Sequence, residues 1–171
     1  MCADVVLGPL TAACIAAAAH NYQLPPVYLS AILKTEGGRV GQAVLNTNGT
    51  YDLGPFQINS AWGPAIGQYW RVSVPQALAW VRDNGCANAL VASAILRKYL
   101  NEGKGDYPKA IGFYHSHTEA LAAGYRKTVL DTAASLLLPL ANPGPVYRVP
   151  TPHYITTLDP HLISAPGAAN R

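Results

Sequence analysis

Along most of the chain apolar residues recur every three or four positions, the period of helices that turn one face inward. The pattern predicts a first helix over about residues 11–22 and a second opened by Pro25-Pro26, proline being suited to a first helical turn. The second runs to Glu36 and is ended by Gly37, Gly38 and Gly41. From Val40 to Asn59 the helical period is lost, and Asn48-Gly49, flanked by Leu45 and Tyr51, predicts a tight hairpin. Ser60 is expected to cap a short helix containing Trp62, Ile66 and Tyr69, and Ser73-Val74-Pro75 to start another through Trp80. Asn84 or Gly85 leads into a long apolar helix from Cys86 to Leu100. Asp106 and Pro108 open one from Tyr107 to Tyr114, and Thr118 caps a last helix through about Leu138. In that last helix Leu121, Tyr125 and Val129, four apart, form the expected buried stripe.

The periodicity stops after Leu138. Residues 139–171 hold seven of the fourteen prolines and no apolar face, so they are expected to form a proline-rich tail, flexible or extended, with a possible partner-binding role. The 171 residues thus divide into one mainly α domain with a small β-hairpin, residues 1–138, and the tail, residues 139–171.

Composition narrows the classes. Half the residues are hydrophobic and 12% charged, which excludes a disordered chain over most of the length. A formal charge of +3 with scattered Lys and Arg does not describe a nucleic-acid groove; it is compatible with an anionic polymer without singling one out. No stretch reaches the roughly 18 apolar residues that a membrane span needs. Val5 to Ala19 is mostly apolar, but no Lys or Arg precedes it, Asp4 is acidic and Pro9 interrupts it. It is read as part of a mature helix and not as a signal peptide, which leaves two alternatives for export: a signal trimmed from this chain, or a start set downstream of the natural one.

Glu36 carries most of the chemical information. Leu29, Ile32 and Leu33 precede it by seven, four and three residues, on the same helical face. Glu36 therefore either projects from the apolar side or is a solvated residue of the last turn. A carboxyl held against apolar surface has its charged form disfavoured, which suits a general acid. The nine carboxylates can be sorted one by one. Asp83 and Asp106 fall at helix caps, Asp4 and Asp159 in terminal segments, and Glu102, Glu119 and Asp131 in polar surroundings. Asp52 remains, as the second carboxylate of a glycosidase pair or, the favoured reading, a turn residue bonding nearby backbone amides.

Other features say less. In Tyr51-Asp52-Leu53-Gly54-Pro55-Phe56-Gln57-Ile58-Asn59 the amides of Gln57 and Asn59 alternate with Phe56 and Ile58, an arrangement suited to sugar hydroxyls or to satisfying a loop. His115 and His117 are one residue apart but lack a third ligand at metal-site spacing, so no metal is expected. There is no GxSxG elbow and no P-loop. Cys2, Cys14 and Cys86 leave an odd thiol if two pair. A Cys14–Cys86 bridge would close a loop of roughly 70 residues, worth about 4 kcal/mol; the alternative is reduced, buried thiols, and a cysteine on an apolar helix is usually core. Tyr114 either reaches a cleft or packs with its hydroxyl exposed.

Three segments in order, the TEGG glutamate after an apolar helix, then NTNGTYDLGPFQINSAW, then AIGFYHS, resemble the lysozyme-like lytic transglycosylases of the soluble (SLT) type. The likeness is to the small specialised members that accompany type IV secretion, conjugation and type III secretion systems, and it covers about residues 11–132. The resemblance implies a mainly α, lysozyme-like (goose-type or SLT) fold and cleavage of the β-1,4 bond between N-acetylmuramic acid and N-acetylglucosamine, leaving 1,6-anhydro ends. It implies Glu36 as the single catalytic acid/base, Gln57 and Asn59 as the amides of the GLMQIN-type loop, with Phe56 and Tyr51 of the same run beside the substrate, and Tyr114 as the tyrosine of the AYN-type motif. It further implies a Cys14–Cys86 disulfide and hence an exported, periplasmic location. Peptidoglycan strands are the implied partner, secretion or conjugation components possible partners of the tail, and no cofactor is implied. Three departures stand out: Gly37 where the family has serine, Pro55-Phe56 for Leu-Met, and His115 for the asparagine of AYN. A lysozyme-type hydrolase using Asp52, and a non-catalytic peptidoglycan-binding scaffold, are the competing readings.

Overall fold

The computed structural model describes residues 8–138, so the proline-rich segment 139–171 and Cys2 lie outside the described residues. The chain runs α1 (Ala12–Asn21), α2 (Pro26–Glu36), β1 (Ala43–Leu45), β2 (Tyr51–Leu53), β3 (Ile58–Asn59), a 3-10 turn (Ser60–Trp62), α3 (Gly63–Trp70), α4 (Val74–Asp83), α5 (Gly85–Glu102), α6 (Tyr107–His115) and α7 (Glu119–Leu137). The architecture is mainly α with one antiparallel sheet of order β1-β2-β3. Leu45 pairs with Tyr51 across the Asn48-Gly49 turn, as the hairpin signal predicts, and β3 adds a third strand that sets Asn59 opposite Asp52 and Ile58 opposite Leu53.

The polar residues that start the helices do so through local bonds. The side chains of Thr11, Ser73, Asn84 and Asp106 accept from the backbone N–H of Cys14, Gln76, Ala87 and Lys109, groups that a first helical turn leaves without partners. Three expected caps differ, Thr118 standing at the start of α7 without a side-chain cap bond. Asn59, not Ser60, caps the 3-10 turn, accepting from Ala61 N at 3.0 Å, while Ser60 Oγ accepts from Tyr51 N at 2.9 Å. Asp83 is the buried last residue of α4. It takes two bonds from the Arg82 guanidinium, at 2.6 and 2.7 Å, and these hold the arginine above its ordinary pKa.

α5 is the hub. Its Ala89, Val91, Ala92, Ala94, Ile95 and Leu96 are buried, with α1 and α6 packed along it. α7 lies across α2 and α6. Its buried residues are Ala122, Val129 and Ala133, whereas Leu121 is exposed. Of the expected Leu121–Tyr125–Val129 stripe, Val129 is buried and Tyr125 half-buried, while Ala122 takes the inward place expected of Leu121. The cause is close packing: α7 meets α6 where Gly112 faces Ala122, and a small residue must fill that contact.

Two long-range ties complete the domain. Cys14 and Cys86 form a disulfide with Cα atoms 5.0 Å apart, joining α1 to the first turn of α5. Cys86 is exposed and not a core thiol: it lies on the outer side of the first turn of α5, whose Gly85 and Asn88 are buried. The other tie is Asn88, a fully buried residue of α5. Its Nδ2 donates to Leu53 O in β2 and Val81 O in α4, both at 2.9 Å, and its Oδ1 accepts from Phe56 N at 2.8 Å. No helix among the described residues is long and apolar enough to cross a membrane.

Removing the disulfide with a Cys14→Ser, Cys86→Ser double substitution should lower unfolding free energy by about 4 kcal/mol; urea melts of oxidised and substituted protein check this, and equal midpoints would refute it. Asn88→Ala should cost about 3 kcal/mol by leaving buried carbonyls and an amide without partners, and a change below about 1 kcal/mol in the same melts would mean that water replaces the amide.

Candidate functional site

Glu36 is the last residue of α2, and Gly37 ends the helix in the left-handed conformation (φ 64°) with its N–H on Leu33 O at 3.0 Å. Leu29 and Ile32 are fully buried and Leu33 and Glu36 half-buried, so the carboxyl does project from the apolar face. The C-terminal end of a helix concentrates partial negative charge, and a carboxylate there needs a donor. Tyr125 of α7 supplies it: its hydroxyl donates to Glu36 Oε1 at 2.6 Å. The next residue, Arg126, is turned to Glu119, with Nη2 to Oε1 at 2.6 Å. That bond holds the Glu119 carboxyl below its ordinary pKa.

The loop after Glu36 is seated on the turn that leads into β3. A Cβ on Gly38 would lie 2.2 Å from Gly54 O and 2.5 Å from Gln57 Nε2, so no larger residue fits there without opening the seam. Gly54 in turn lies against Asn88. Its carbonyl accepts from both Gln57 N (3.2 Å) and Gln57 Nε2 (2.7 Å). Gln57 adopts a left-handed φ of 48°, uncommon for a residue with a side chain and consistent with a conformation held by those two bonds. Tyr114 closes the same turn from α6, its hydroxyl donating to Phe56 O at 3.1 Å.

The candidates therefore fall into two groups. Gln57 and Tyr114, both buried, are bonded into the Gly54–Gln57 turn, and Glu36 stands two residues before Gly38, which is seated on that turn. Phe56 belongs to this turn through its backbone, while its side chain is wholly buried in the core. Asn59, Asp52 and Tyr51 lie further along the sheet. Asn59 Nδ2 donates to Thr50 Oγ1 (2.9 Å) and to Asp52 Oδ1 (3.1 Å), so its amide is engaged within the hairpin. Asp52 is a buried residue of β2 that accepts from the Asn59 amide, where a turn residue was expected. Tyr51 is exposed.

His115 and His117 diverge. His115 stacks on Tyr125, with centroids 4.8 Å apart and planes at 6°. His117 stacks on Phe113 and pairs with Glu102 at 2.9 Å, so Glu102 is not simply solvated. Among the described residues no group of three or more His, Cys, Asp or Glu is placed to hold a metal ion.

Two residues with central roles, Tyr125 and Asn88, carry only weak signals in the chain. A tyrosine in an apolar stripe needs a partner for its hydroxyl, and an asparagine within an apolar helix needs several. Neither rule names a partner 89 or 35 residues away. No protein-family profile matches the chain, and no curated protein is significantly similar to it.

Gly38→Ala should destabilise the domain by about 2 kcal/mol through overpacking of the seam. Gly37→Asn, at a position where a Cβ meets nothing within 4 Å and asparagine tolerates the left-handed region, should change stability by no more than about 0.5 kcal/mol. Chemical denaturation of the two variants should reproduce this order, and the reverse order would show that the seam is not where the close contact lies.

Proposed function

We propose that this protein is a lysozyme-like peptidoglycan lytic transglycosylase, cleaving the bond between N-acetylmuramic acid and N-acetylglucosamine and leaving 1,6-anhydro ends. The observation that carries the reading is Glu36: a half-buried carboxyl at the end of a core helix, oriented by a phenol and beside the seam with the sheet. The order of the three segments named above supports the same family. The mainly α architecture with its small sheet is compatible with it.

In this reading Glu36 protonates the glycosidic oxygen as the C1–O bond breaks, and the substrate's own N-acetyl group stabilises the cation-like centre. The carboxylate so formed takes the proton from the muramic acid O6 hydroxyl as O6 bonds to C1. One proton leaves and one returns, so no water is consumed and no second carboxylate is required. The engagement of Asp52 with Asn59 fits that economy. Gln57, Asn59, Tyr114 and Tyr51 are the residues proposed to form the substrate-binding side of the site. For Tyr114 and Asn59 the role is to shape the turn and hairpin through bonds they already make.

The disulfide supports an exported, periplasmic protein, since such bonds persist in oxidising compartments. Local opening of the wall for a secretion or conjugation apparatus, with the tail as its contact, completes the proposal.

Digestion of purified sacculi by wild type and Glu36→Gln, with products read by mass spectrometry, tests it. Wild type should release anhydro-muropeptides, and the variant should be slower by about 10²–10⁴-fold, the range for loss of a general acid. Hydrated reducing ends would instead support the hydrolase and bring Asp52 back. Binding to the wall without products from either protein would favour the scaffold.

A further inference from the structure

We propose that His115 is a positioning residue, whose ring lies flat on Tyr125 and confines the phenol that donates to Glu36. The consequence for catalysis rests on the transglycosylase reading; the contact itself rests on geometry. The hydroxyl bond at 2.6 Å is of the short kind that a carboxylate makes, and it holds only while the ring keeps its orientation. Tyr125 is half-buried, so the core does not enclose it. Its planar neighbour at 4.8 Å and 6° supplies a wall along the ring face.

The backbone presents His115 rigidly. It is the last residue of α6, and Ser116 N returns to Gly112 O at 3.0 Å. Ser116 Oγ accepts from Thr118 N at 3.0 Å, fixing the corner from which α7 departs. His117, two residues on, is held separately by Phe113 and Glu102. The imidazole of His115 and the phenol of Tyr125 therefore sit on two helices joined by a pinned corner. A residue that the motif comparison counts as a departure becomes the support of the acid's own partner.

The test is a double-mutant cycle in purified full-length protein, with kcat and KM measured on glycan strands and thermal unfolding alongside. His115→Ala should lower kcat about tenfold with KM nearly unchanged, the pattern of lost orientation. His115→Phe, which keeps a flat ring, should restore most of kcat. Tyr125→Phe should lower kcat, and adding His115→Ala to it should lower kcat little further, because both act through one bond. Wild-type kcat in His115→Ala, or fully additive losses, would overturn the proposal. If His115→Ala does not fold, His115→Asn takes its place in the cycle with the same expectations. Should the wild type cut no glycan, the transglycosylase reading fails by itself. The cycle is then read in the ¹³C signal of the Glu36 carboxyl: His115→Ala should move it in the same sense as Tyr125→Phe, and an unmoved signal would reject the role.

Discussion

The sheet depends on one amide. Three strands of two or three residues cannot stand in water without support, and Asn88 ties β2, the following turn and α4 to the central helix through three buried bonds. The dependence continues outward. Gly54 rests on Asn88, Gly38 rests on Gly54, and Glu36 stands two residues before Gly38. The setting of the candidate acid is thus traceable, contact by contact, to a polar group in the middle of an apolar helix. Such a group stabilises only when all its partners are present.

The two sides of the candidate site are built differently. On the helical side, packing does the work: α2 presents Glu36 from a buried face, α7 packs on both α2 and α6, meeting α6 closely where Gly112 faces Ala122, and Tyr125 reaches Glu36 from it. On the sheet side, hydrogen bonds do the work. Thr50, Asp52, Asn59 and Gln57 satisfy one another and the backbone, while Leu53, Phe56 and Ile58 anchor the sheet in the core. This division explains why amides that look available in the chain are already engaged in the fold.

What could be read from the chain was local. The face of α2 that carries Glu36, the Asn48-Gly49 hairpin and the caps at Ser73 and Asp106 each depend on residues within a few positions of one another, where periodicity and turn chemistry operate. The misreadings are of another kind. The exposure of Leu121, the exchange of Ser60 for Asn59 as a cap and the strand setting of Asp52 were decided by contacts between neighbouring elements, α6 with α7 and β2 with β3 and the turn after it. The same holds for the Tyr125–Glu36 bond and for Asn88. An apolar stripe tells that a helix is buried; which residue of the stripe meets which partner is a property of the packed whole.

The disulfide divides the chain topologically. Residues 14 to 86 form a closed ring that contains Glu36 and the entire sheet, while Tyr114, His115 and Tyr125 belong to the linear part that follows it. The candidate site is therefore a seam between a covalently closed body and an open arm folded against it. A chain made from its N-terminus delivers the carboxyl 89 residues before the phenol that orients it. Asn88, which ties the sheet to α5, also lies beyond the ring, so the closed part gains both the support of its sheet and the phenol for its glutamate only when the arm docks, and completion of the site reports that the domain has been made to its last helix.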